Sequence, residues 1–226
     1  KKLLRSALVL SAAGAMAQLP PDSYAPDFTA NDINGNSQHL YAYLDSGYTV
    51  FLDISATWCG PCWAYHNSGA LEGLYNTYGP GTADNKVRVF FIEGDASTNL
   101  ADLNGTGTNT QGNWVAGTPY PIIDNATIAN DYQITYFPTI YMVCPNRIVN
   151  EVGQETTSQL WGEVGNCAAA AEGVNASLLQ YVGDKVICED VNATITVQNM
   201  GTSDLTAATI VMKEGENVVA TQDWTG

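Results

Sequence analysis

The feature that most constrains the fold is a pair of cysteines, Cys59 and Cys62, placed between a predicted strand and a predicted helix. Residues 48–55 form a short β-branched and aromatic run, which is typical of a buried strand. Residues 59–78 have helical spacing, and a glycine–proline pair predicts the end of that helix. Residues 86–93 predict a second strand. This order predicts the βαβ unit of a parallel sheet, and therefore an α/β fold.

The segment that follows is unusually long for a loop. Residues 95–118 are rich in Gly, Thr and Asn, and a loop of this length inside a compact domain is either functional or an insertion. After it the pattern predicts a short helix over residues 127–132, strands over residues 140–144 and 147–152, and a last helix over residues 156–171.

A Cys-x-x-Cys pair serves either metal binding or redox chemistry. A structural zinc ion needs four ligands, usually from two such pairs or from one pair and suitably spaced histidines. The chain has no second pair of this kind, and its two histidines are His39 and His66. A lone pair between a strand and a helix fits redox chemistry better. We therefore predict no metal, and no cofactor beyond a redox-active disulfide, Cys59–Cys62.

The two cysteines are expected to have different roles. Cys59 is predicted at the helix N-terminus, where the helix dipole and free backbone N–H groups favour its thiolate. Cys62 is predicted inside the first turn, where it is more buried. We therefore expect Cys59 to attack a substrate disulfide and Cys62 to resolve the mixed disulfide.

Asp53 is a candidate proton acceptor for Cys62. It lies in the predicted strand between Leu52 and Ile54, and a carboxylate in an apolar strand should have a raised pKa. The alternative is an aspartate at a solvated strand edge, which has no catalytic role.

Residues 51–62 resemble the active-site segment of thioredoxins. The strand, the aspartate six residues before the first cysteine, Trp58 and the Gly60-Pro61 pair all correspond to that segment. The resemblance implies a thioredoxin fold, a central mixed sheet with flanking helices. It also implies that Trp58, Gly60 and Pro61 shape the surface that binds substrate.

A second motif, Phe137-Pro138-Thr139, resembles the cis-proline loop of the same family. The resemblance implies that Pro138 lies beside Cys59 and that this loop binds the backbone of the substrate. A cis peptide bond before proline is a minority state held by folded context, which suits a functional loop. The alternative is an ordinary trans proline at the start of a strand.

Further features resemble the exported TlpA/ResA-like branch of redoxins. Residues 25–28 with the turn at residues 32–35 resemble its opening hairpin, and residues 120–124 resemble the end of its insertion. Peroxiredoxins share this layout but use a Thr-x-x-Cys site. Ala56 occupies the position of that threonine, which argues against peroxidase chemistry.

The N-terminal residues predict export. Lys1, Lys2 and Arg5 precede an apolar run over residues 3–13, and Ala-Met-Ala at residues 15–17 offers a cleavage site. These features together are typical of a secretory signal peptide; the alternative is an amphipathic N-terminal helix. We predict a signal peptide over residues 1–17, a redoxin domain over residues 18–172, and a periplasmic, extracellular or cell-surface location. The membrane is expected to be involved only in export.

The C-terminal part is expected to be all β. Residues 178–182, 193–198 and 207–213 predict strands joined by turns that contain Gly and Asp. Residues 192–225 resemble CARDB-type or immunoglobulin-like modules of secreted bacterial proteins. We therefore predict a truncated β-sandwich of this type over residues 173–226.

These observations predict a disulfide oxidoreductase that reduces or isomerises disulfides of extracytoplasmic proteins, with an electron-donor thiol protein as second partner. A formal charge of −15 argues against nucleic acid as a partner. Two alternatives stay open: a cell-surface binding or adhesion protein that keeps the fold, and a reductase dedicated to cytochrome c maturation.

Four other residues with reactive side chains, three cysteines and one histidine, have simpler interpretations. Cys144 and Cys167 form either a disulfide or a reduced buried pair, because sequence does not give their separation. Cys188 is expected to be a small core residue of the second domain. His66 lies one helical turn after Cys62, and a structural or surface role is favoured over a role in tuning the site.

Overall fold

The computed structural model describes residues 18–20, 22–170, 172–182 and 194–226; the predicted signal peptide and Cys188 lie outside these ranges. The strands are β1 Ser23–Tyr24, β2 Thr29–Asn31, β3 Ser37–His39, β4 Thr49–Ser55, β5 Val87–Glu93, β6 Ile122–Asp124, β7 Thr139–Val143, β8 Ile148–Glu151, β9 Ala176–Val182, β10 Thr194–Asn199, β11 Ala207–Glu214 and β12 Asn217–Thr225. The helices are α1 Leu40–Asp45, α2 Gly60–Asn67, α3 Ala70–Tyr78, α4 Leu100–Leu103, α5 Ala126–Asp131 and α6 Thr157–Val164.

Strand β4 is the centre of a mixed sheet. Within the described residues the sheet has six strands in the order β1-β8-β7-β4-β5-β6. Strands β4, β5 and β6 are parallel, whereas β7 pairs antiparallel with both β4 and β8. All seven residues of β4 are buried, because helices cover both faces of the sheet.

Successive side chains of β4 serve the two faces alternately. Phe51 belongs to a core cluster with residues of α2, α3 and α6. Leu52 and Ile54 belong to a second cluster with residues of α1 and α5. The structure is therefore a mixed sheet between two helical layers, with a Cys-x-x-Cys at the start of the helix after β4. This is the predicted thioredoxin fold, and the prediction is confirmed.

Two predicted helices differ from the observed ones. The helix predicted over residues 59–78 is two helices, α2 and α3, because Gly69 takes a left-handed backbone conformation with φ of 70°. The last helix, predicted to continue to residue 171, ends at Val164 with Gly165 as its C-cap. After it Cys167 forms a disulfide with Cys144, with their Cα atoms 5.1 Å apart.

The C-terminal strands form two antiparallel pairs, β9 with β10 and β11 with β12. This agrees with the predicted all-β character, while the immunoglobulin-like identity and the domain boundaries stay predictions. Arg147, in the turn between β7 and β8, joins this part to the sheet. Its guanidinium donates to the carbonyl oxygens of Asn199 (2.5 Å) and Gly201 (3.2 Å), pairs with Asp45 (2.7 Å), and lies over the Tyr41 ring.

Candidate active site

The cysteine pair lies at the N-terminus of α2. Cys59 is the N-cap residue, it forms a disulfide with Cys62, and the backbone N–H of Cys62 donates to its Sγ at 3.2 Å. Pro61 suits the first turn, where a backbone N–H has no partner within the helix. Both cysteines are buried in the oxidised state, and Gly60 and Pro61 are exposed beside them. This is the arrangement in which the first thiol gains most from the helix N-terminus.

An exposed aromatic side chain flanks the disulfide. Trp58 is 42% exposed, and its Nε1 donates to Oδ2 of Asp95 at 2.7 Å. Its ring contacts that of Phe137 edge to face, with centroids 6.2 Å apart. Trp58 and Phe137 therefore form a continuous aromatic surface between the Cys-x-x-Cys segment and the proline loop.

The Phe137–Pro138 peptide bond is cis, as the resemblance implies. Register pairs Thr139 of β7 with Ile54 of β4, so this loop lies at the same end of the sheet as the cysteines. Pro138 and Thr139 are buried, and the Thr139 hydroxyl donates to the carbonyl of Tyr136 and accepts from the side chain of Gln18. The substrate-binding role of this loop stays a prediction.

Asp53 is a buried carboxylate beneath the site. Its side chain is 1% exposed, so the alternative of a solvated edge does not apply. By alternation along β4 it faces the same layer as Phe51, the layer that also contains Cys62. The Ser55 hydroxyl donates to Oδ1 at 2.5 Å. Burial raises the pKa of Asp53 to about 7, so it can gain or lose a proton near neutral pH.

Glu93 is a second buried carboxylate, which the sequence analysis did not single out. It ends β5, it is 0% exposed, and it pairs in register with Ser55. Its Oε2 accepts from the backbone N–H of Thr57 at 2.8 Å and its Oε1 from that of Asp95 at 3.1 Å. Burial raises its pKa to about 7. The sequence did contain one sign of this site, because Glu93 is a charged residue at the end of the apolar run of residues 86–93.

The long loop contributes a strap, residues 109–112, which binds the segment just before Cys59. The Thr57 hydroxyl donates to the carbonyl of Asn109 at 2.8 Å. The backbone N–H of Gln111 donates to the Thr57 carbonyl at 2.9 Å, and its Nε2 donates to the Trp58 carbonyl at 2.8 Å. The sequence did not show whether the long loop is functional or an insertion. In the structure, these contacts give it a structural role, because they hold the segment before Cys59.

An aromatic cluster supports the strap from below. Trp114 is fully buried and packs against Trp63, His66 and Phe91, with ring centroids 4.8, 5.0 and 5.2 Å from its own. A Cβ at Gly112 would lie 2.4 Å from the Trp63 ring, so a larger residue there would displace the strap. Burial lowers the pKa of His66, whose role stays a prediction.

Within the described residues, no group of three or more His, Cys, Asp or Glu side chains is placed to hold a metal ion. In the same part of the chain, none of the helices has the length and apolar character needed to cross a membrane.

No family model matches the chain, and no curated protein matches its sequence. By structure it is similar to the thioredoxin domain of a thiol-disulfide oxidoreductase from Bacteroides vulgatus, at 19% identity and a TM-score of 0.47, over 66% of this chain and 97% of that one. It is also similar to a thiol:disulfide interchange protein from Bacteroides sp., at 20% identity and a TM-score of 0.45, over 66% of this chain and 90% of that one.

Proposed function

We propose that this protein is an extracytoplasmic thiol–disulfide oxidoreductase that reduces or isomerises disulfides of exported proteins. The observation that carries the proposal is the combination of a Cys59–Cys62 disulfide at a helix N-terminus, an adjacent cis Phe137–Pro138 bond and a buried carboxylate, Asp53. Each of these supplies one requirement of dithiol exchange: an attacking thiolate, a surface for the substrate backbone and a proton acceptor.

In the reducing direction the reduced protein begins the cycle. The Cys59 thiolate attacks one sulfur of a substrate disulfide, a new S–S bond forms, and the other substrate sulfur leaves as a thiolate that takes up a proton. Cys62 then loses its proton to Asp53 and attacks the Cys59 sulfur. The second substrate thiol is released, two electrons have passed to the substrate, and Cys59–Cys62 is oxidised. A dithiol donor protein must reduce it again.

The extracytoplasmic location is supported by two independent features. The signal-peptide pattern of residues 1–17 predicts export. The second disulfide, Cys144–Cys167, lies against the core at the end of β7, and structural disulfides persist in oxidising compartments.

The C-terminal strands are proposed to belong to a separate immunoglobulin-like unit.

An insulin-reduction assay with dithiothreitol tests the activity. We expect the wild type to accelerate the reduction and Cys59→Ser to abolish the acceleration, because the attacking thiolate is lost. The matched control is the double variant Cys144→Ser/Cys167→Ser, which removes the other disulfide and should keep the activity. Activity that survives in Cys59→Ser would contradict the proposal and favour a binding protein that retains the fold.

The reduction potential decides the direction of transfer. The Gly60-Pro61 pair resembles that of reducing thioredoxins, so we expect a potential of about −270 mV, measured by equilibration with glutathione buffers. A value of about −120 mV, that of strong oxidants, would contradict a reductase.

The Cys62→Ser variant identifies the partner. It cannot resolve the mixed disulfide, so substrates stay attached to Cys59 and can be identified by mass spectrometry. Capture of many exported proteins would support general reduction or isomerisation. Capture of a single haem-binding protein would instead favour a reductase dedicated to cytochrome c maturation.

A further inference from the structure

Glu93 has no place in the exchange cycle, yet its burial needs an explanation. A buried carboxylate is costly unless hydrogen bonds compensate for lost solvation. Asp53 already supplies the proton acceptor. The carboxylate accepts from the backbone N–H groups of Thr57 and Asp95, and the Thr98 side chain also hydrogen-bonds to it. Glu93 therefore joins the end of β5 to the segment that leads from β4 into Cys59.

Thr57 is the residue through which Glu93 can act on the nucleophile. It is fully buried, and its three polar groups are all bound: the N–H by Glu93, and the hydroxyl and carbonyl by the strap. Trp58 follows it, held by Asp95 through its indole and by Gln111 through its carbonyl. In this network, Glu93 is the carboxylate that accepts a hydrogen bond from the backbone of Thr57, the residue before Trp58.

The distance to the nucleophile is short enough for an electrostatic effect. Two residues span at most about 7 Å, so the Glu93 carboxylate lies within about 10 Å of the Cys59 backbone. A negative charge at this distance in a buried site disfavours a second negative charge on sulfur. The other carboxylates around Glu93 are Asp124, its register partner on β6, Asp95 in the following loop, and Asp53 on β4.

We propose that Glu93 is a positioning residue that holds the Thr57–Trp58 segment and, through its negative charge, limits the thiolate fraction of Cys59. This inference rests on the proposed function, since the thiol that Glu93 restrains is the proposed nucleophile. Its charge changes near neutral pH, because burial raises its pKa to about 7. Acidification therefore has two effects at once: it weakens the hydrogen bond from the Thr57 N–H to Glu93, and it removes the electrostatic repulsion between Glu93 and the Cys59 thiolate.

The test is the rate of Cys59 alkylation by iodoacetamide in the reduced protein, followed by peptide mass spectrometry at pH 6 and pH 8, with amide hydrogen exchange at Thr57. In Glu93→Gln we expect the rate constant to rise about threefold at pH 8, where Glu93 is charged in the wild type, and Thr57 exchange to accelerate. At pH 6 Glu93 is mostly protonated because burial raises its pKa to about 7, so the rate constant there should match that of the wild type. The matched control is Asp124→Asn, which removes the neighbouring carboxylate and leaves the hydrogen bonds to Glu93.

An equal rise at both pH values would indicate a loosened loop and would overturn the electrostatic part. Unchanged exchange at Thr57 would overturn positioning. If Glu93→Gln does not fold, NMR of the wild type decides: the Thr57 amide and the Glu93 carboxyl carbon must titrate with one midpoint, and a flat Thr57 amide overturns the proposal. None of these measurements needs a disulfide substrate, so a failure of the proposed function, seen in insulin reduction, is distinguishable from a failure of this inference.

Discussion

Replacing Asp53 with asparagine is expected to slow the resolving step by about 10²-fold at pH 7, because Cys62 loses its proton acceptor. Asp53 faces the layer that contains Cys62, is 1% exposed, and has a pKa raised by burial to about 7. The measurement is the two-step release of chromophore when the reduced protein reacts with an aromatic disulfide. The first release depends on Cys59 and should be unchanged, whereas the second depends on Cys62 and should slow.

The same substitution is expected to stabilise the oxidised protein at alkaline pH. Burial raises the pKa of Asp53 from 3.8, its value in an unfolded chain, to about 7, so between these values the folded state binds more protons and stability falls as pH rises. The penalty is absent below pH 3.8 and complete above about pH 7. Relative to the wild type, Asp53→Asn should therefore gain about 3 kcal/mol in unfolding free energy between pH 5 and pH 8.

Urea unfolding at those two pH values measures this gain. Asp131→Asn removes an exposed carboxylate from α5 and controls for the loss of one negative charge. A gain of equal size in Asp131→Asn would show that net charge, and not the buried group, is responsible. Equal slowing of both chromophore steps in Asp53→Asn would contradict its role as the proton acceptor for Cys62.

Replacing Trp114 with alanine is expected to cost about 3–5 kcal/mol of unfolding free energy. Its side chain is fully buried among Trp63, His66 and Phe91, and its Nε1 donates to the Thr110 hydroxyl at 3.2 Å. The cavity left by truncation lies directly below the strap. We therefore expect loss of stability in guanidinium denaturation together with faster proteolysis between residues 104 and 118.

Trp161→Ala is the matched control for this prediction. Trp161 stacks on Tyr78 with ring centroids 3.6 Å apart, but it is only partly buried. Its loss should cost about 1–2 kcal/mol and leave the proteolysis of the long loop unchanged. An equal cost for both tryptophans would mean that Trp114 does not organise the loop.

The part of the site that sequence could predict lies on one continuous segment. Asp53, Trp58, Cys59 and Cys62 follow one another across a strand–helix junction, so local periodicity and residue chemistry place them. Pro138 comes from elsewhere in the chain and was assigned through the resemblance. Glu93 was missed because its role depends on pairing between β4 and β5 and on a bond to Thr57, neither of which leaves a local pattern.

The same distinction separates correct from incorrect elements of the fold. Strand β4 was predicted within one residue because its apolar run is short and bounded on both sides. The helix over residues 59–78 was wrong as a single element because helical spacing continues across Gly69, whose backbone conformation breaks it. The strap could not be predicted from sequence, because polar residues 109–112 are ordered by hydrogen bonds to Thr57 and Trp58 rather than by their own secondary-structure propensity.

The position of Arg147 has a consequence for the orientation of the protein. It lies in the turn that ends β7, whereas the cis-proline loop and the cysteines lie at the start of β7. The carbonyl groups of Asn199 and Gly201 therefore attach the C-terminal strands to the end of the sheet remote from the redox centre. If those strands were immobilised on a support, Cys59 would therefore lie on the side of the protein that faces away from the support.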